Sequence, residues 1–453
     1  MPLILTLIGI LTLVFLVAFA RLDTFISFVI VSLGIGLASG MDVVAVGKSI
    51  QTGIGGTLGE LVLIIGFGAM LGRLVAESGA ARRITNVLIG WFGIKNIRWG
   101  LALAGFVIGI PLFYNAGFII VVPLIFTIAA SSRLPLMSVA VPMLSALSVA
   151  HGYLPPHPSP SAVASQLNAN IGQTLIYGII VAIPAIIIAG PLFGRTLVNI
   201  KASPNRELFN IREVPEHNLP SAGISFFVAL LPVLLLTTFG PLKNAMVGES
   251  PLKTIVTLLA EPYLGMLLSV LTAMYLLGIR QGQTIKAITK DMEEAVKAIA
   301  PILLVIAGAG ALKQVFSDSG TSKYIGSLLA DVAIPPLLLA WGMAAFIRVC
   351  VGSATVAGLT TVGIILPLVQ SQAIKPELMV LAIGSGSLMF SHINDGGFWL
   401  FKEYFNLSIG QTIRTWSVME TIVSIIGLLG VLALTGRTVS ANAPVQRRNP
   451  VNV

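Results

Sequence analysis

Ser391-His392-Ile393-Asn394-Asp395-Gly396-Gly397-Phe398-Trp399-Leu400-Phe401-Lys402-Glu403 is a polar interruption between two apolar stretches. An imidazole, a carboxamide and a carboxylate fall within four residues, and the glycine pair behind them lets the backbone turn sharply. Between membrane spans, such groups are costly unless they bind something. The alternative is a wet surface loop anchored by Phe398 and Trp399. A second interruption, His151-Gly152-Tyr153-Leu154-Pro155-Pro156-His157-Pro158-Ser159-Pro160, occupies the matching place in the first half and favours a functional centre.

Outward from that stretch the chain is apolar. Hydrophobic residues make up 56% and charged residues 10%, where a soluble domain carries roughly a quarter charged residues. Apolar runs of about 17 to 25 residues recur from end to end, which makes this an all-α polytopic membrane protein. They fall at 3–20, 24–40, 58–76, 98–112, 116–131, 135–150, 171–193, 222–240, 254–279, 298–316, 336–350, 353–370, 376–391 and 411–434. The total expected is about fourteen spans, the first being a retained N-terminal span. Pro and Gly interrupt 98–131 and 336–370, as in broken helices or re-entrant hairpins. The single cysteine, Cys350, excludes an internal disulfide.

The net charge of +9 sits in short connections, as the positive-inside rule expects, and does not indicate a nucleic-acid partner. With the N-terminus outside, the connections bearing Arg21, Arg82 to Arg98, Arg195 to Arg212 and Arg280 to Lys297 face the cytoplasm. The opposite set, 41–57, 151–170, 241–253 and 317–335, is poor in cations. Arg447 and Arg448 disagree with this pattern. The expected organisation is a first membrane repeat over 1–194, a cytoplasmic linker over 195–220, a second repeat over 221–436 and a polar tail over 437–453.

The repeat is read from five matches in register, separated by roughly 240 residues. Gly66-Phe67-Gly68-Ala69 and Glu77-Ser78-Gly79 match Gly308-Ala309-Gly310-Ala311 and Asp318-Ser319-Gly320. His151 matches His392, Pro123-Leu124 matches Pro367-Leu368, and Ile171-Gly172-Gln173-Thr174 matches Ile409-Gly410-Gln411-Thr412. The copies lie an odd number of spans apart, hence inverted, and inverted repeats with broken helices suit a transporter whose substrate sits near the midplane.

The candidate substrate-binding residues are those at the breaks: Asn115, Gly117, His151, Ser353, Thr355, His392 and Asn394. Small residues there let backbone amides and helix N-termini meet an anion such as a carboxylate. The plainer reading gives Gly, Ser and Thr to helix packing. An ionised carboxylate at the bilayer centre costs at least about 2.5–3.5 kcal/mol, so a proton-coupling role is assigned to Asp395, with Glu60 and Glu420 as further candidates. Arg348 could clamp a carboxylate, but snorkelling to the surface is the expected account. His151 and His157 lack a third ligand for zinc, and no metal or cofactor is expected.

At this point the chain resembles a known family. Ser391 to Phe405, His151 to Pro158, and Ile347-Arg348-Val349 leading into Gly352-Ser353-Ala354-Thr355-Val356-Ala357 are similar to the gluconate:proton symporters of bacterial inner membranes. The resemblance runs through nearly the whole chain. It implies proton-driven import of gluconate or a related sugar acid, in a fold similar to ion transporters with paired re-entrant hairpins. It also admits idonate, other aldonates or D-serine as substrate. A membrane-embedded enzyme using His392 and Asp395 lacks a nucleophile or metal set, and a channel suits inverted broken helices less well than alternating access does. The expected partners are a small carboxylate, protons and the lipid bilayer. Oligomeric state is left open, with a homodimer as one option.

Overall fold

The structure, a computed structural model, describes residues 2–204, 215–246, 248, 250–321, 324, 334–371 and 374–441, and every element among them is helical. α1 (Pro2–Val14) and α2 (Thr24–Ala38) lead into α3 (Val43–Glu77). There follow α4 (Ala80–Phe92), α5 (Ile97–Gly109), α6 (Tyr114–Ser132), α7 (Leu136–Tyr153), α8 (Pro158–Gln166), α9 (Ile171–Ile187) and α10 (Phe193–Thr196). The second half contains α11 (Ala222–Ala245), α12 (Pro251–Ala260), α13 (Pro262–Ala273), α14 (Ile285–Asp318) and α15 (Pro336–Val351). α16 (Ala354–Ser371), α17 (Pro376–Gly386), α18 (Gly396–Tyr404), α19 (Ile409–Thr412) and α20 (Val418–Ala441) complete it.

Eight helical stretches among the described residues are long and apolar enough to cross a membrane. Of the fourteen expected apolar segments, eight fall in these stretches. The segments at 3–20, 24–40, 98–112, 336–350, 353–370 and 376–391 lie in shorter helices or at breaks. A helix such as α5, of 13 residues, reaches about 20 Å at 1.5 Å per residue, short of a hydrocarbon core of about 30 Å. Two of these interruptions, 110–113 between α5 and α6 and 352–353 between α15 and α16, place helix ends inside the protein.

The frame is an antiparallel pair of long helices, α3 with 35 residues and α14 with 34. Their N-terminal halves fall in the expected connections at 41–57 and 280–297, which are therefore largely helical. Asp42 starts α3 by accepting the N–H groups of Val44 (2.9 Å) and Ala45 (3.3 Å). Of the glycines that follow, Gly53 serves close packing. A Cβ on Gly53 would overlap the Gly310 carbonyl, and one on Gly310 would lie 2.6 Å from the Gly53 carbonyl and overlap Thr57. Ser49 donates to Asp318 at 2.6 Å, and Arg73 lies within electrostatic reach of Glu294 at the other end, so the two helices run in opposite directions. Both end alike, with Ser78 and Ser319 as C-caps and Gly79 and Gly320 at φ 77° and 74°.

Contacts between connections group as the charge pattern does. Arg83 donates to the Pro220 carbonyl at 2.9 Å, and the cation-rich 195–212 connection meets the stretch after α18 through the Ser203 N–H to the Phe405 carbonyl at 3.2 Å and Gln411 to that of Lys201 at 3.2 Å. On the opposite face Asn170 donates its N–H to Glu377 at 3.1 Å, and Lys375 lies 5.6 Å from the Tyr177 ring centre. Residues 205–214 of the expected linker and 442–453 of the expected tail lie outside the described residues.

Gly310→Leu forces a side chain into Thr57 and Gly53, and overpacking of this kind costs about 1–3 kcal/mol. The melting temperature of the detergent-purified variant is expected to fall by several degrees. Gly66→Ala, with nothing within 4 Å of the added carbon, is the control expected to melt as the parent does. Equal melting of all three would remove the close contact.

Candidate functional site

A helix that stops inside a membrane protein leaves its last carbonyls without partners, and side chains must supply them. α15 ends at Gly352, φ 81°, where only glycine fits, because a Cβ would overlap the Asn394 backbone carbonyl. The freed carbonyls are met from the 391–395 turn. Asn394 Nδ2 donates to Val349 at 2.8 Å and Cys350 at 3.2 Å, and His392 Nε2 donates to Val349 at 2.9 Å. Ser353 begins α16, its hydroxyl accepting the Val356 N–H at 3.3 Å. Three of the predicted ligands thus hold the break open through the backbone.

Asp395 starts α18, its Oδ1 accepting the Gly397 N–H at 3.0 Å. Its Oδ2 accepts from Arg348 Nη2 and from the Ser391 hydroxyl. Ser391 is held in turn by Trp416 Nε1 at 2.7 Å, and its carbonyl accepts from Ser417. The side chain of Arg348 is 4% exposed and that of Asp395 16%. Snorkelling of Arg348 is therefore overturned. Its helix stops four residues later inside the protein, and the carboxylate that neutralises it lies across the break. Arg348 Nε and Nη1 have no hydrogen-bond partner among the described residues.

The first half contributes aromatic and imidazole groups. His157 Nε2 donates to the Gly109 carbonyl at 2.7 Å, holding the last turn of α5 as His392 holds α15. Sequence matching paired His151 with His392, yet His157 does the equivalent work. The His151 ring lies 5.3 Å from His157 and 6.0 Å from Tyr114, and Tyr114 lies 5.6 Å from Trp416, so ring contacts join the halves. Asp395 and Arg348 both act electrostatically on His151. Glu420, 1% exposed, is within electrostatic reach of the same pair. It lies beside the Ser148 hydroxyl without closing a hydrogen bond of ordinary geometry to it.

Tyr114 Oη, Nδ1 of His151 and of His157, and both Glu420 oxygens also lack hydrogen-bond partners among the described residues. Each unsatisfied buried group costs about 1–3 kcal/mol. The Arg348–Asp395 pair, the Glu420 carboxyl group and several neutral donors and acceptors therefore converge where the halves meet. No grouping of three metal-ligating side chains occurs among the described residues.

The structure brings His151, Asp395 and Glu420 together, with Ser353, His392 and Asn394 at the adjoining break. Thr355 is half-buried at the start of α16. Asn115 is exposed beside Tyr114, and Gly117 packs on Leu147, 2.9 Å from where a Cβ would stand. Glu60 lies elsewhere, accepting from Ser165 near Lys313, whose ammonium donates to the Gln166 carbonyl at 3.4 Å. Sequence reasoning missed Tyr114 and Trp416, had Ser391 within the polar stretch without a role of its own, and undervalued Arg348 and His157. Arg348 was marked by being the lone charge in 336–351, whereas aromatic residues within apolar runs carry no such signal.

The family described as GntP family permease matches residues 1–436. The chain is 46% identical over 434 residues to a high-affinity gluconate transporter of Escherichia coli K12, covering 96% of this chain and 99% of that protein. A Gnt-II system L-idonate transporter of the same organism matches at 46% over 434 residues, with 96% and 99% covered. A gluconate permease of Bacillus subtilis matches at 42% over 450 residues, again with 96% and 99% covered. Among solved structures, the YdaH transporter of Alcanivorax borkumensis superposes with a TM-score of 0.63, 17% identity, and 93% and 98% of the two chains covered. The antimetabolite efflux pump MtrF of Neisseria gonorrhoeae gives 0.62 at 15% identity, with 90% and 93% covered. At such identities the likeness carries the fold alone.

Breaking a buried ion pair by removing one partner costs about 3–5 kcal/mol, while replacing both is far milder. Arg348→Met and Asp395→Asn are each expected to lower thermal stability strongly, and the double variant to recover part of the loss. Additive losses in that cycle would show that the two groups do not interact.

Proposed function

This chain belongs to the GntP family of permeases, and on that premise we propose that it is a secondary active transporter of the bacterial inner membrane, importing gluconate or a related sugar acid with a proton. The observation that carries this reading is Arg348, a buried guanidinium with one arm on Asp395 and two donors unspent at a break in α15–α16. A planar fork with free donors suits a carboxylate. The names of relatives, gluconate and L-idonate transporters, agree with a hydroxylated monocarboxylate.

Coupling follows from charge balance. Without substrate, Arg348 and Asp395 neutralise each other. A substrate carboxylate docking on Arg348 adds a second anion to a dry centre, and the desolvation penalty of an unbalanced buried charge is several kcal/mol. A proton on Asp395 restores the balance, so one proton accompanies each monocarboxylate. Asp395 keeps its place when neutral, because the Gly397 N–H still caps its carbonyl oxygen.

The halves 1–194 and 221–436 act as inverted repeats in this mechanism. The antiparallel pairing of α3 with α14 and their matching C-termini support that reading. The substrate is held between the breaks at 110–113 and 352–353, and the shorter, interrupted helices move around it to open each face in turn. Asn115, Thr355 and the residues of the 391–395 turn line its hydroxylated end.

Labelled gluconate is expected to accumulate in membrane vesicles under an imposed pH gradient, to be competed by idonate and to be lost with an uncoupler. Asp395→Asn abolishes accumulation while counterflow persists; accumulation at the parental level would move the coupling group elsewhere. A lost hydrogen bond to a charged ligand is worth about 1.5–3 kcal/mol. Thr355→Val or Asn115→Ala therefore raises half-saturation roughly ten- to a hundredfold, and unchanged affinity in well-expressed forms of both takes these positions out of the site.

A further inference from the structure

Glu420 is the buried carboxyl group that the coupling scheme leaves unused. It lies on α20 one turn beyond Trp416 and Ser417, which hold Ser391 and through it the Asp395 turn. One turn further on, the Val423 carbonyl accepts from Tyr153 of α7, and Ser424 accepts from Trp341 Nε1 of α15 at 3.1 Å. Glu420 therefore sits in the seam between α7 of the first half and α15 of the second.

We propose that Glu420 stays protonated through the transport cycle and binds substrate hydroxyls, its O–H donating to one and its carbonyl accepting from another. The proposal rests on the sugar-acid reading above and adds a specificity residue to it. The groups that reach Glu420 are Ser148 and Tyr153 from α7, Tyr114 from α6, Arg348 from α15 and Asp395 ahead of α18, with His151 next to the last two. Of the remaining packed elements, α9 offers Tyr177, and α17 offers Glu377, whose carboxylate is taken by the Asn170 N–H. Arg348 is thus the cation of this set, and Asp395 already holds it. A second carboxylate anion in the same dry seam would be uncompensated, so the neutral acid is the form the site can hold.

A neutral carboxyl offers one donor and one acceptor, the complement of a polyol chain, and neither oxygen closes a hydrogen bond of ordinary geometry with the protein, the Ser148 hydroxyl lying nearby. A carboxylate in the substrate goes to Arg348; the hydroxyls a few bonds away go to Glu420. The site therefore takes a hydroxylated acid in preference to a plain one.

Two measurements test this. In infrared difference spectra of the purified wild-type protein, the carbonyl stretch of a protonated carboxyl, lost in Glu420→Gln, is expected to persist from pH 6 to pH 8. A band that disappears over that range, or its absence, overturns the proposal whatever the substrate proves to be. In vesicles, Glu420→Gln keeps uncoupler-sensitive gluconate accumulation with half-saturation raised less than about tenfold, and Glu420→Leu raises it by at least about tenfold, or about 1.4 kcal/mol. Deoxygluconates compete poorly against the parent, and Glu420→Leu erases the penalty for the hydroxyl it binds while leaving the others. Glu420→Gln losing accumulation but keeping counterflow makes Glu420 a proton carrier and ends the proposal. Failure of the wild-type protein to accumulate any sugar acid instead refutes the sugar-acid reading, and the infrared arm still decides the protonation state.

Discussion

A guanidinium buried where α15 breaks needs an anion within reach, and the pairing of Arg348 with Asp395 meets that requirement by tying three separate parts of the chain together. Asp395 is held by the Gly397 N–H at the start of α18 and by Ser391, and Ser391 by Trp416 and Ser417 ahead of α20. Removing the pair would free the turn from α15, and with it the carbonyl caps that His392 and Asn394 provide. The polar stretch from 391 to 395 is therefore a consequence of the break as much as a site in its own right: each interrupted helix needs a nearby turn that carries donors, and each half of the chain has one.

Much of this was legible in the residues. The apolar runs mark the helices, the clusters of Gly, Ser and Pro mark the breaks, and the repeat of Ser-Gly after an acidic residue marks the shared ends of α3 and α14. What misled was locality. The stretch 41–57 reads as a connection along the chain, whereas the reason for glycine at position 53 is a carbonyl on a helix more than two hundred residues away. Arg348 was assigned to the surface for the same cause. Its depth depends on where α15 stops relative to Asp395, a distance no window of sequence contains.

The histidines make the point at finer scale. Register matching paired His151 with His392, and yet the carbonyl-capping task in the first half falls to His157. Six residues further along, after the turn through Leu154 and the prolines, an imidazole reaches Gly109 where His151 instead joins the aromatic contacts with Tyr114. A repeat conserves the need for a donor at a helix end more strictly than the position that supplies it. For that reason the candidate ligands at the breaks carry no ranking among themselves in the sequence.

The interlocked glycines of α3 and α14 have a mechanical corollary. Where two backbones touch through a glycine on each side, sliding by one residue, about 1.5 Å, brings a side chain against a carbonyl on the facing helix. The pair can tilt as a unit but has no lubricated surface along which to shear. In a cycle of alternating access such a pair would be the fixed axle, and the travel would fall to the shorter, interrupted helices.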